Sequence, residues 1–304
     1  MKQLFYSNGK LLITGEYVVL DGAKAFALPT RFGQNLIVEK GKGRKISWKS
    51  FDKDGTAWFE DTILFDEIIM RKETEKSDSI KGTLLEILHE AYLLNPDFID
   101  AHSGYNITTE LTFPKFWGLG TSSTLINNIA QWAGIDAFVL LNNSFGGSGY
   151  DIACAQNNTP LLYHLVNGKP LVEKVEFEPL FKEHLYFVYL NQKQSSKAAI
   201  ASYYAKQSNL SKSITALEKI TQNVVRAADL GTFASELEKH EMIMSDILEM
   251  QTVKERFFPD FKGVIKSLGA WGGDFVLVIS KDNPSSYFEE RGFTTLLPYR
   301  EMIL

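Results

Sequence analysis

The sequence predicts an α+β chain on three observations: β alternation dominates its opening, two amphipathic helical stretches follow one another after residue 210, and short apolar runs of strand length return at Leu185–Leu190 and Val276–Ile279. The opening strands are expected at Lys10–Leu20, Asn35–Glu39, Lys45–Trp48 and Tyr105–Phe113, where β-branched and aromatic residues alternate with polar ones. Turns such as Gly41-Lys42-Gly43 separate them. Between them, Leu84, Leu85, Leu88 and Tyr92 recur at helical spacing, and Asn95-Pro96 ends that helix at Leu94. Its apolar face should pack on the sheet.

A second helix is expected over Ser122–Leu141, starting directly after a glycine-bearing turn and stopping at Asn142-Asn143-Ser144 before the cluster Gly146-Gly147-Ser148-Gly149. The later pair, Ser211–Leu230 and Phe233–Met250, reads as two helices separated at Gly231. No internal repeat, low-complexity tract or long linker interrupts the chain, so any lobe boundary is a packed one near residue 180, dividing 1–180 from 181–304.

Composition limits the function classes. A chain of 304 residues that is 44% hydrophobic and 23% charged can bury a substantial core. Neither a secretory leader nor an uninterrupted run of about 18 apolar residues is visible, so the cytoplasm is expected and a membrane is not. Cys154 is the only cysteine, which excludes an internal disulfide, and the five histidines are scattered without the spacing of a zinc site. The formal net charge of -5, with no basic stripe interleaved with aromatics, argues against nucleic acid. Phosphorylated small molecules stay open, because backbone N–H groups, single lysines and Mg²⁺ act locally where net charge does not.

Three segments carry chemistry. In Phe113-Pro114-Lys115-Phe116-Trp117-Gly118-Leu119-Gly120-Thr121-Ser122-Ser123-Thr124, glycines permit close backbone approach and the following helix presents N–H groups to an anion. The hydroxyls of Thr121, Ser122 and Ser123 can cap the helix or reach a phosphate-bound Mg²⁺; the segment is a phosphate cradle or an ordinary capped turn. In the second segment, Asp151 follows the flexible turn Gly146–Gly149, where a carboxylate can accept or orient a hydroxyl proton, or simply cap a helix. In the third, Lys10 and Glu16 interrupt an otherwise buried-looking β pattern, so both need partners; Lys10 either serves Asp151 and a transferring phosphoryl group or is a solvated lysine at a strand start.

Together these segments resemble, in type and order, the GHMP kinases, the family of galactokinase, homoserine kinase, mevalonate kinase and phosphomevalonate kinase. The family's first motif looks like Gly9-Lys10 through Gly15-Glu16-Tyr17-Val18-Val19-Leu20, its phosphate loop like Pro114 through Ser122, and its third motif like Leu268-Gly269-Ala270-Trp271-Gly272-Gly273-Asp274. Gly15-Glu16-Tyr17 and Asp151-Ile152-Ala153-Cys154 are most similar to the mevalonate-pathway branch. The resemblance implies an α+β, two-lobed fold, with a ribosomal-protein-like N-terminal lobe holding the phosphate loop and a ferredoxin-like C-terminal lobe. It implies an ATP- and Mg²⁺-dependent kinase of mevalonate or phosphomevalonate; a sugar or other small-alcohol kinase, a decarboxylase that first phosphorylates, and a weakened nucleotide-binding regulator are the alternatives. A small molecule is then the expected partner, and a homodimer is compatible with it.

By the same analogy Lys10 and Asp151 form the catalytic pair, Gly118, Leu119, Gly120, Thr121, Ser122 and Ser123 wrap the ATP phosphates, and Ser122 helps hold Mg²⁺. Glu16, Ser148, Gly149, Ser195, Ser196 and Gly272 face the substrate. Three features depart from the pattern. No carboxylate stands in Phe138-Val139-Leu140-Leu141, where mevalonate kinases carry a magnesium-binding glutamate; Asp136, one turn earlier on the expected helix, is the substitute to test, against a solvated helix charge. Phe116-Trp117 adds bulk to the phosphate loop, and Trp271 and Asp274 interrupt the third motif. The two tryptophans are expected close to the nucleotide or in the packing around it.

Overall fold

A computed structural model describes residues 2–71, 79–99, 103–192, 196–205 and 210–304. In chain order, the elements before residue 160 are β1 (Lys2–Thr14), β2 (Ala25–Lys40), β3 (Lys45–Phe51), β4 (Ala57–Leu64), α1 (Phe65–Ile69), α2 (Ile80–Leu94), β5 (Tyr105–Leu111), α3 (Thr121–Ala133), α4 (Ala137–Ser144) and α5 (Tyr150–Gln156). After it come β6 (Leu161–Val166), β7 (Lys169–Lys174), β8 (Leu185–Tyr189), α6 (Ser196–Ala205), α7 (Ser211–Arg226), α8 (Leu230–Leu248) and α9 (Val253–Phe257). The chain closes with β9 (Val264–Ser267), β10 (Phe275–Ile279), α10 (Ser285–Glu289), β11 (Leu296–Pro298) and α11 (Tyr299–Met302). The expected α+β class holds, with two sheets.

The described chain forms two compact units. The first contains residues 1–9, 32–115 and 119–156; the second contains 10–31, 116–118 and 157–304.

In the first unit the strand order is β4-β3-β5-β2, antiparallel except for the parallel pair β3 and β5. Alternation decides which face is buried: Ile46, Trp48 and Ser50 of β3 and Ile107, Thr109 and Leu111 of β5 point inward. Ser50 and Thr109 stand opposite one another in register and satisfy each other at 2.8 Å, and the Trp48 indole N–H also donates to Ser50 Oγ, at 3.0 Å. Buried hydroxyls at strand positions therefore keep their hydrogen bonds. Leu84, Leu85, Ile87, Leu88 and Ala91 of α2 join Ile126, Ile129 and Ala130 of α3 and Leu140 and Leu141 of α4 in one apolar core over this sheet. Ser79 caps α2 by accepting from Gly82 N–H at 3.0 Å, and the helix ends at Leu94 as Asn95-Pro96 predicts.

In the second unit, β2 residues 25–27 pair with β6 and β6 with β7. A separate antiparallel sheet runs β11-β8-β10-β9. Its inner strand β10 is buried at every position, as the unbroken run Phe275-Val276-Leu277-Val278-Ile279 demands. Helices α7 and α8 lie side by side, with α8 also against β9.

Several boundaries differ from the sequence reading, among them the start of β2 at Ala25 rather than Asn35. Strand β1 starts at Lys2 and stops at Thr14, because Gly15 takes φ +88° and Tyr17 φ +61°, so residues 15–20 turn rather than extend. The helix expected over Ser122–Leu141 is two helices, broken where Gly134 adopts φ +66° and Asp136 caps α4. Gly231 is inside α8; the break between α7 and α8 falls at residues 227–229, and Asp229 is the cap, accepting from Thr232 N–H at 2.9 Å. Among the described residues no helix is long and apolar enough to cross a membrane.

Candidate active site

The first unit holds the helix α3, which the Gly118–Gly120 turn leads into. Gly120 is the N-cap residue of α3 at φ +96°, a conformation that L side chains rarely adopt. Having no side chain, it caps none of the first-turn N–H groups, so the head of this 13-residue helix keeps the donor set that binds anions. The hydroxyls divide by direction. Ser122 is exposed, whereas Ser123 is buried and donates back to Gly120 C=O at 2.9 Å, stiffening the turn. The Thr124 hydroxyl lies 2.9 Å from both Gly120 C=O and Gln34 Oε1.

Beneath that turn is a buried polar network that the sequence reading missed. Ser7 donates to Asn128 Oδ1 at 2.7 Å and accepts from Asn127 Nδ2 at 2.8 Å; Asn128 Nδ2 donates to Gln34 C=O at 2.9 Å. Gln156 Nε2, at the end of α5, donates to Asn127 Oδ1 at 3.0 Å. Asn127 and Asn128, two amides inside one helical stretch, were the available signal, since buried amides require partners. The network joins α3, which carries the turn, to α5, which carries Asp151.

Asp151 is in the first turn of α5, partly buried, and its Oδ1 accepts from Ile152 N–H at 3.2 Å. It follows Gly149 and Tyr150, so it is a residue inside the helix rather than the expected alternative of a cap. Gly149 is buried at φ +90°, and its carbonyl accepts from Ala153 N–H at 3.1 Å. Asp136, considered as a substitute magnesium ligand on one continuous helix, is instead the cap of α4: its Oδ1 accepts from Phe138 N–H at 2.7 Å and Val139 N–H at 3.2 Å. The helix break removes the face on which that substitution was argued.

The second unit holds Lys10 and Gly118. Lys10 is partly buried between buried residues in the second half of β1, and its Nζ donates to Gly118 C=O at 2.9 Å. Gly118 has φ +68°. Trp117 is buried edge-on against Phe275, with ring centroids 5.3 Å apart. Trp271 is buried with Tyr17, Val18, Tyr203 and Met244. Both tryptophans are thus core residues of this unit. Gly272 takes φ +83° in the third motif. Ser195 lies outside the described residues, and Ser196 opens α6.

The resemblance places Glu16 at the substrate; in the structure its carboxylate belongs to a buried ion cluster. Glu16 is 1% exposed and its Oε1 accepts from Lys266 Nζ, which also lies 3.2 Å from Glu241 Oε2. Ser267 donates its N–H and hydroxyl to Glu241, at 3.1 and 2.6 Å. Gly15 N–H donates to His240 Nε2 at 3.0 Å, and that same nitrogen is 3.4 Å from Glu16 Oε2. Burial, with the Lys266 charge added to it, holds the imidazole neutral well below its usual range. Burial also raises the Glu16 carboxyl to about 7, against the pull of Lys266. For Lys266, desolvation is outweighed by the two carboxylates, and its ammonium is favoured. Tyr17 extends the link, accepting from Trp271 N–H at 3.1 Å. The first motif is thereby tied to the residues opening the third. Lys266, inside the apolar stretch Val264–Ser267, bore the signal that singled out Lys10, a charge interrupting a buried strand.

No family model and no curated protein sequence matches the chain. Solved structures do. Mevalonate kinase of Methanococcus jannaschii superposes with a TM-score of 0.69 at 15% identity, covering 97% of this chain and 96% of that one. Phosphomevalonate kinase of Streptococcus pneumoniae, in complex with phosphomevalonate and AMPPNP, gives 0.68 at 15% identity over 96% of each chain. Galactokinase of Lactococcus lactis, complexed with galactose, gives 0.64 at 12% identity over 97% of this chain and 92% of that one. The chain has the fold of the GHMP kinases, and mevalonate-pathway enzymes are prominent among its structural neighbours.

Proposed function

We propose that the chain is an ATP-dependent phosphotransferase of the GHMP type, moving the γ-phosphoryl group of ATP to a hydroxyl or phosphate of a small metabolite, with mevalonate or phosphomevalonate the favoured acceptor. The observation that carries this reading is the uncapped head of α3: a glycine turn with φ +68° at Gly118 and +96° at Gly120, opening into a helix whose first N–H groups have no capping side chain. The triphosphate binds along Gly118–Ser123, and the exposed Ser122 hydroxyl is available to its magnesium ion. When bound, that ion screens charge on the transferring phosphoryl group.

Asp151 orients the acceptor hydroxyl and takes its proton; Lys10, anchored on the Gly118 carbonyl, balances the negative charge that develops during transfer. Ser148, Gly149, Ser195, Ser196 and Gly272 contribute to the acceptor site. Catalysis then consists of positioning and charge stabilisation of an in-line transfer. The choice of acceptor rests on two structural neighbours, a mevalonate kinase and a phosphomevalonate kinase. A coupled assay of ADP release over mevalonate, phosphomevalonate, galactose and homoserine tests it. Turnover with one of the first two supports the reading; turnover only with a sugar or homoserine moves the chain to another acceptor class; nucleotide binding without turnover on any acceptor makes it a regulator.

A further inference from the structure

Packing alone does not call for the amides in the middle of α3. Asn127 and Asn128 are 1% and 0% exposed, asparagine is a weak helix former, and a buried amide costs stability unless its polar atoms are answered. An apolar pair would fill the space without that demand. What the amides add is direction. Asn127 faces two elements at once: its Oδ1 accepts from Gln156 Nε2 at the end of α5, at 3.0 Å, and its Nδ2 donates to Ser7 Oγ on β1, at 2.8 Å. Ser7 donates to Asn128 Oδ1, and Asn128 Nδ2 holds the Gln34 carbonyl of β2. Gln34 Oε1 in turn lies 2.9 Å from the hydroxyl of Thr124, which follows Gly120 by one helical turn. All of these residues belong to the first unit.

Helix α5 has use for such a tie. Its residues 152–155 are buried and it lies beside α3, but apolar contact is non-directional and resists separation more than it resists sliding or rotation. The lead-in is open: Gly146 and Gly147 have φ +74° and +105°, and a side chain added at either would meet nothing within 4 Å. Asp151 and Gln156 stand on the same seven-residue helix, so a group that fixes one fixes the other. We propose that Asn127 and Gln156 are positioning residues for phosphoryl transfer: their hydrogen bond is a directional tie that holds α5, and with it Asp151, in register with the Gly120 turn of α3. The inference rests on the kinase reading given above and adds to it two residues that act through Asp151. A small slip is enough, because a displacement of about 1 Å can cost about a hundredfold in rate.

The test is steady-state kinetics with the best acceptor of the coupled assay, ATP calorimetry and urea unfolding of the parent, Gln156→Leu, Gln156→Lys, Ser7→Ala and the double variant Ser7→Ala with Gln156→Leu. Gln156 is exposed, so its substitutions spare the core, whereas Ser7 meets the opposite end of the Asn127 amide and reports whether its orientation matters. Gln156→Leu removes the donor and should lower the turnover number about five- to tenfold, with ATP affinity and the KM for the acceptor within about threefold of the parent. Gln156→Lys keeps an N–H donor and should recover about half of the parental rate or more. Ser7→Ala should also slow turnover, and the double variant should fall no more than about twofold below the slower single, since residues that act through one bond are not additive. Parental turnover in Gln156→Leu overturns the proposal. So does an equal loss in Gln156→Lys, a multiplicative loss in the double variant, or lowered stability with an unchanged rate per folded molecule. A parent that turns over while Asp151→Asn is just as fast removes Asp151, and the tie with it; a parent that turns over no acceptor sinks the kinase reading itself and this inference together.

Discussion

Glu16→Gln should change the pH dependence of folding more than any acceptor contact. Glu16 Oε2 faces His240 Nε2 at 3.4 Å, and that nitrogen already accepts from Gly15 N–H, so it is a lone pair that the carboxylate meets. An ionised Oε2 has no hydrogen-bond donor there and leaves a buried negative charge against that lone pair, whereas the protonated group carries no charge. Burial accordingly lifts the carboxyl from 4.5 to about 7. A raised acid stabilises the fold fully below its unfolded value, and that stabilisation is lost as pH rises through the folded value. The window is therefore roughly pH 4.5 to 7. At 1.36 kcal/mol per unit, the full shift corresponds to about 3 kcal/mol, of which about 2–3 kcal/mol disappears between pH 5 and pH 8.

Glutamine reproduces the neutral form: its carbonyl still accepts from Lys266, and no negative charge is buried beside His240. Urea unfolding of parent and variant, measured from pH 5 to pH 8, should give similar stability at the acid end and a variant more stable by about 2 kcal/mol at the alkaline end. His240 tilts both curves the other way, because a histidine kept neutral in the fold costs stability as pH falls below its unfolded value, about 6.5. That slope is common to the two proteins, so their difference isolates Glu16. Parallel curves across the whole range would refute the argument.

Three further outcomes follow from the candidate site. Asp151→Asn should lower the turnover number by about a hundredfold or more with nucleotide affinity nearly unchanged, read by steady-state kinetics and calorimetry; a rate within a few-fold of the parent removes Asp151 from the mechanism. Gly120→Val places a β-branched residue at φ +96° and should abolish ATP binding; unchanged affinity in a folded variant would locate the phosphates elsewhere. Asp136→Ala should cost about 1 kcal/mol of stability in urea through the lost cap of α4, while the magnesium dependence of turnover stays as it was; a shifted magnesium requirement would restore Asp136 as a metal ligand.

What could be read from the sequence was whatever local rules determine. The end of α2 at Asn95-Pro96, the start of α3 after the Gly118–Gly120 turn and the buried strand β10 each follow from a breaker or an apolar run a few residues long. The misplaced boundaries have equally local causes that pattern alone underweights. Periodicity carries from Ile126 to Leu141 across Gly134, but Asp136 offers the backbone a cap, and the cap wins. Strand β2 runs sixteen residues through Pro29 and Gly33, both of which argue against strand in isolation. Gly33 is tolerated because it must be bare: a side chain there would strike the Ser7 carbonyl and the Tyr6 ring.

The least legible part of the site was the partner of each charge. Lys10 and Glu16 announce themselves in the same way, as ions in a buried strand pattern, and the sequence offers no means of telling which one faces a ligand. Distance along the chain decides it: the cation that answers Glu16 is Lys266, 250 residues on, while Lys10 finds a backbone carbonyl at Gly118, 108 residues on. A carboxylate answered by lysine and sealed from water is committed to the core, whereas the Lys10 ammonium is only partly buried and holds the Gly118 carbonyl. The two interruptions thus serve different ends. Glu16 is paired with Lys266 inside the core, Tyr17 beside it accepts from Trp271 N–H, and Lys10 holds the Gly118 carbonyl at the start of the glycine turn.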